Sequence, residues 1–200
     1  MEMQVLEGGF CDAPREASHA FRALMMAMAR PGTIATLQGA LPPAPLSVAA
    51  GTVLLTLADG DTPVYLAGAC DRPEVRQWLA FHTGAPLVGP SHAVFALGSW
   101  AALAPLNAFP IGTPEYPDRS ATLIVETKRL ENDGARLSGP GIRESASLSL
   151  PEGEAFVQNN ALFPLGLDFY FTCGEQVAAL PRSTRIAGTS GAAVAQKGSA

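Results

Sequence analysis

Apolar positions along the chain change period from one stretch to the next. Asp12-Ala13-Pro14 has the form of a helix start, a capping side chain followed by proline in the first turn, where its missing N–H costs nothing. Ala17, Phe21, Leu24, Met25 and Met28 then recur at three- and four-residue spacing, which predicts a helix with one apolar face, ended by Pro31-Gly32. Thr33 to Leu37 alternates and predicts a strand, and Leu41 to Pro45 is a proline-rich linker. Ser47 to Ala58 predicts a second helix, and Pro63 to Ala67 a strand after the turn Asp59-Gly60-Asp61. Arg72-Pro73 opens a third helix with Val75, Trp78, Leu79 and His82 on one face, stopped at Gly84.

Beyond Gly84 the period is closer to two. Ala93 to Leu97, Ala121 to Glu126, Arg136 to Ser138 and Ser145 to Leu150 predict strands. Ser138-Gly139-Pro140-Gly141 predicts a turn, and Pro151 opens a helix to about Asn159. Asp168 to Cys173 is strongly β and turns through Gly174-Glu175 into Val177 to Leu180, the last predicted strand. Helices and strands alternate early and strands dominate late. That order predicts an α/β fold, a three-layer mixed sheet flanked by helices. Residues 1–187 read as one domain, and the Gly/Ala/Ser/Thr-rich stretch 188–200 as a disordered tail.

Composition narrows the chemistry. Of the 13 Lys+Arg residues only Lys128 and Lys197 are lysines, and the formal net charge is −5. An acidic chain is a poor general nucleic-acid binder. No apolar run approaches the ~18 residues of a membrane span. Cys11, Cys70 and Cys173 are widely spaced and form no CxxC, so no zinc site or redox pair is written locally. Unpaired cysteines and an acidic start fit a cytoplasmic protein. The nucleotide fingerprints GxxxxGKS/T and GxGxxG are missing. No GxSxG surrounds a serine, and the only histidines are His19, His82 and His92. Neither a metal nor another cofactor is expected.

Several residues could still meet a ligand. Arg15, His19 and Arg22 fall on one stripe of the first helix, either a solvated face or an anion- or partner-binding surface. His82 ends its helix beside a turn, either as a half-buried packing residue or as a ligand or base. The loop Gly112 to Arg119 carries Thr113 and Arg119 into a buried strand, a place where sites are often built. Arg182 and Arg185 flank two hydroxyls, and could hold an oxyanion or form salt bridges at a subunit contact. Arginine suits phosphate and phosphonate because its planar fork donates two parallel hydrogen bonds. Lys128 is expected to be exposed at a strand end, and neither lysine is placed for a Schiff base.

Read in order, these motifs resemble one family. They run from Phe21-Arg22-Ala23-Leu24-Met25-Met26-Ala27-Met28-Ala29-Arg30-Pro31-Gly32 to Leu54-Leu55-Thr56-Leu57-Ala58-Asp59 with Asp61-Thr62-Pro63. Phe81-His82-Thr83-Gly84-Ala85-Pro86-Leu87, Phe163-Pro164-Leu165-Gly166-Leu167-Asp168, Thr172-Cys173-Gly174-Glu175 and Pro181-Arg182 follow. The set is similar to PhnH, the H subunit of the bacterial carbon–phosphorus lyase complex. The resemblance implies a fold like that of pyridoxal-phosphate-dependent transferases without the cofactor. It implies a cytoplasmic core complex with subunits G, I and J. That assembly transfers a phosphonate to ATP with loss of adenine, giving a ribose 1-phosphonate 5-triphosphate. Catalysis of this step is placed on subunit I, so the chain is expected to be required rather than catalytic. A homodimer is expected when the chain is alone. The competing expectations are a stand-alone phosphonate- or nucleotide-binding protein, or a transferase on the pyridoxal-phosphate-type fold. No catalytic residue carries over; Arg22, His82, Thr113, Arg119, Arg182 and Arg185 remain as candidate anion contacts.

Overall fold

A computed structural model describes residues 7–187. The tail expected at 188–200, and with it Lys197, lies outside the described residues.

Helix α1 spans Ala13–Ala29 with Pro14 in its first turn. The Asp12 side chain does not cap it, contrary to expectation; instead the Asp12 N–H donates to Glu16 Oε2 at 2.9 Å, so the helix's own first turn reaches back. The sequence-expected apolar face also shifts. Ala20, Leu24 and Ala27 are the buried line, whereas Phe21 and Met25 stay about half exposed (52% and 51%). The small alanines let α1 approach its neighbour closely. That neighbour is α2, Val48–Leu57, apolar on all sides and buried from Ala49 to Leu54. Ser47 Oγ accepts the Ala50 N–H at 3.1 Å and caps α2. Helix α3, Pro73–Thr83, closes at Gly84, whose φ of +68° is the left-handed geometry such a cap requires.

The main sheet has six strands in the order β1-β8-β7-β4-β3-β2. β2 (Val64–Leu66), β3 (Phe95–Ser99), β4 (Thr122–Glu126) and β7 (Asp168–Cys173) are parallel. β8 (Gln176–Leu180) and the two-residue edge strand β1 (Ala35–Thr36) run antiparallel to their neighbours, so the sheet is mixed. Side chains alternate across it. Leu97, Ile124, Tyr170 and Val177 pack against α1, α2 and α3. Leu123, Val125, Phe169 and Phe171 face the opposite layer.

That second layer holds α4 (Trp100–Leu103), α5 (Glu154–Ala161) and a small antiparallel sheet. The small sheet is ordered β6-β5-β9, from Ala146–Leu148, Ala135–Ser138 and Arg185–Ala187. Phe156 of α5 lies edge-on to Phe169, with centroids 5.0 Å apart, an arrangement worth about 1 kcal/mol beyond its area. Val177 to Leu180 is therefore not the last strand: Arg185–Ala187 adds to β5. α4 is a further element beyond those predicted.

Candidate functional site in the strand-end crevice

After β2 the chain enters α3 on one face of the sheet. After β3 it enters α4 on the other. Two neighbouring parallel strands whose exits part in this way leave a crevice outside their carboxyl ends, where ligands of such sheets bind. Here the crevice is a cavity of about 350 Å³, lined among others by Ser47, Cys70, Ser99, Glu126, Thr127 and Lys128.

Glu126 is its central group. It ends β4, and period two puts it on the same side as Ile124, towards the N-terminus of α2. Its Oε1 accepts the Ser47 N–H at 2.7 Å. Its Oε2 accepts the hydroxyl of Thr172, its register partner on β7, at 3.0 Å. Burial raises its pKa above the ordinary 4.5, against the lowering effect of those hydrogen bonds. The Cys70 thiol is pushed up to about 11, first by burial and then by the Glu126 charge. It is therefore protonated near neutrality and a poor nucleophile. Lys128 is exposed, as expected, but at the mouth of this crevice. A second cavity of about 340 Å³ shares Glu126, Thr127 and Lys128 and continues towards Trp100 and Ser149.

The sequence-derived candidates lie elsewhere. Arg22 is exposed on α1 and forms no ion pair among the described residues. His82 packs on Trp78 and Phe81, with its Nε2 3.4 Å from the Glu7 carbonyl oxygen. Thr113 Oγ1 accepts the Tyr116 N–H at 3.1 Å and closes a tight turn. The Arg119 guanidinium sits 4.1 Å from the Tyr116 ring centroid. Arg185 is exposed on β9. Arg182 is the most engaged: it donates to Asp168 through Nε at 3.2 Å and Nη2 at 2.5 Å, to the Pro117 carbonyl at 2.7 Å, and to Ser120 Oγ. Its fork thus ties the 112–119 loop to the start of β7, at the opposite end of the parallel strands from Glu126.

Glu126, Ser47, Cys70 and Ser99 were not legible as a group. The one signal was a carboxylate ending the apolar run Thr122-Leu123-Ile124-Val125.

A family model described as "Bacterial phosphonate metabolism protein (PhnH)" matches residues 8–187. The chain belongs to the PhnH family. The family match covers nearly every described residue, including the crevice and all six candidates named above. One curated relative is "Alpha-D-ribose 1-methylphosphonate 5-triphosphate synthase subunit PhnH" of Rhizobium meliloti (strain 1021). It is 42% identical over 197 residues, covering 92% of this chain and 97% of that protein. Another is the "Putative C-P lyase subunit protein HtxG" of Stutzerimonas stutzeri, 32% identical over 181 residues, with 87% of each chain covered. Among the described residues no helix is long and apolar enough to cross a membrane, and no group of three or more His, Cys, Asp or Glu side chains could hold a metal ion.

Proposed function

We propose that this chain is the H subunit of a carbon–phosphorus lyase core assembly. There it would be required for the transfer of a phosphonate to ATP with loss of adenine, in organic phosphonate breakdown. The observation that carries this reading is the relative named as a subunit of alpha-D-ribose 1-methylphosphonate 5-triphosphate synthase, matched over 97% of its length. The partners in the proposal are subunits G, I and J, in the cytoplasm, with a homodimer forming when the chain is alone. Residues 1–187 would act as one domain, on a sheet of the pyridoxal-phosphate-transferase type that carries no cofactor.

A subunit needs surfaces for its partners, and two features favour that role. Phe21 and Met25 project as an exposed apolar ridge one turn apart on α1, beside Arg22. Leu162 and Phe163, 46% and 60% exposed, form a second apolar patch after α5. Exposed Phe and Met side chains suit a contact surface, because aromatic residues and Met are enriched at protein interfaces.

The test is co-expression with subunits G, I and J, together with deletion of the gene from a strain that grows on methylphosphonate as its phosphorus source. Co-purification and loss of growth restored by this chain are expected. Clean separation from the other three on gel filtration, or undiminished growth of the deletion strain, overturns the proposal.

A further inference from the structure

Glu126 and Lys128 impose opposite demands on whatever enters the strand-end crevice. The Glu126 carboxylate has no cationic partner within ion-pair distance among the described residues. Oε1 accepts the Ser47 N–H and Oε2 the Thr172 hydroxyl, the Ser47 hydroxyl also acts on the carboxylate, and a carboxylate has about four lone-pair positions. Acceptor capacity therefore remains on a half-buried, uncompensated charge. Lys128, two residues on, lines the same cavity and likewise makes no ion pair among the described residues. A simple anion would meet Lys128 but be repelled by Glu126. A simple cation would meet the reverse. A ligand with adjacent hydroxyl donors at one end and negative charge at the other satisfies both. Ser99, the register partner of Glu126 on β3, also lines the cavity and adds a neutral hydroxyl.

We propose that this crevice binds a phosphorylated pentose, with Glu126 accepting hydrogen bonds from its cis-diol and Lys128 facing its phosphate. The choice of a pentose, and with it of a diol, rests on the function proposed above; the demand for a donor at one end and negative charge at the other rests on the crevice alone. An acidic side chain at a strand end that takes a ribose hydroxyl pair is a recurrent solution in parallel sheets. The size agrees. A cavity of about 350 Å³ lies at the small end of ligand sites, and the adjoining 340 Å³ towards Trp100 leaves room for a longer phosphate chain or a ring.

The test is calorimetric titration of the full chain with D-ribose 5-phosphate, 2-deoxy-D-ribose 5-phosphate and inorganic phosphate. The ribose compound is expected to bind more tightly than about 1 mM. The deoxy compound, which lacks the diol, is expected to bind at least about tenfold more weakly, since a carboxylate acceptor loses a charge-assisted hydrogen bond. Glu126→Gln should bring the two sugars to equal affinity. Lys128→Met should weaken both by a common factor. No binding of ribose 5-phosphate, equal affinity for the two sugars in the unaltered protein, or equal affinity for inorganic phosphate overturns the proposal. If Glu126→Gln does not fold, the comparison of the two sugars on the unaltered protein decides alone. A chain that joins subunits G, I and J but ignores the sugar sinks only this inference. A chain that takes the sugar but joins no partner sinks only the proposed function.

Discussion

Arg182 and Asp168 form a forked ion pair at the start of β7, with Nε and Nη2 of one reaching Oδ1 and Oδ2 of the other at 3.2 and 2.5 Å. The two side chains are only 12% and 21% exposed. The Arg182 N–H also donates to Asp168 Oδ1 at 2.8 Å, so backbone and side chain close on one carboxylate. Removing one member of such a pair leaves a desolvated charge without compensation. Arg182→Ala is expected to destabilise the fold by about 3 kcal/mol. Arg182→Lys should recover less than half, because a point charge cannot span both oxygens and the Pro117 carbonyl. Urea unfolding checks this; the midpoint should fall with the slope unchanged. A midpoint within error of the parent would remove the structural role and return Arg182 to the anion-binding candidates.

Gly141 sits where the 138–141 turn meets the end of α1. Its φ is +79°, and a Cβ built there would stand 1.9 Å from the Ala29 carbonyl oxygen. Gly141→Ala therefore combines left-handed backbone strain with a backbone clash that no side-chain motion relieves. The expected loss is about 2–3 kcal/mol, which lowers the thermal midpoint of a chain this size by roughly 5–10 °C. Gly174→Ala is the control: φ is +59° but nothing lies within 4 Å of the added carbon, so the strain acts alone and the midpoint should fall less.

Helix α3 was readable because its signals are local, with Pro73 at the start and Gly84 at the stop. Strand β9 was not, because Arg185–Ala187 has no apolar run of its own and is a strand only through pairing with β5, some fifty residues earlier. On α1 the large side chains Phe21 and Met25 outweigh alanine in any reading of periodicity. Yet burial follows Ala20, Leu24 and Ala27, because close approach of α2 rewards small residues. The crevice was hidden for a related reason. Ser47, Cys70, Ser99, Glu126 and Thr172 come from five separate elements and loops, and only the order of the parallel strands brings them together. A residue such as Arg182 carries the opposite lesson: its type suits an oxyanion, and its surroundings already supply one, the Asp168 carboxylate.

Thr52 is fully buried in α2, and its Oγ1 has no hydrogen-bond partner among the described residues. A hydroxyl taken out of water without a partner costs roughly 1–3 kcal/mol. Valine has nearly the same shape and the same branching at Cβ. Thr52→Val is therefore expected to raise stability by about 1 kcal/mol, read as a higher urea midpoint. A lower midpoint would mean that the hydroxyl is hydrogen-bonded in solution.

Glu126 links the fold to pH. Burial lifts its pKa in the folded protein above 4.5, so folding favours the protonated carboxyl. The native state then binds more protons than the unfolded chain between these two values, and stability falls as pH rises through them. The contribution of this group is complete below 4.5 and is lost as pH rises through the folded pKa. Glutamine is neutral throughout and can still accept the Ser47 N–H. Glu126→Gln should therefore be more stable than the parent at neutral pH, and the difference should shrink to nothing as pH falls below 4.5. Urea midpoints of both proteins, measured at several values from acid to neutral, give the curve directly. A variant that is less stable at neutral pH would mean that the hydrogen bonds from Ser47 and Thr172 outweigh burial. The carboxylate would then be a structural cap on α2 rather than an uncompensated charge facing the crevice.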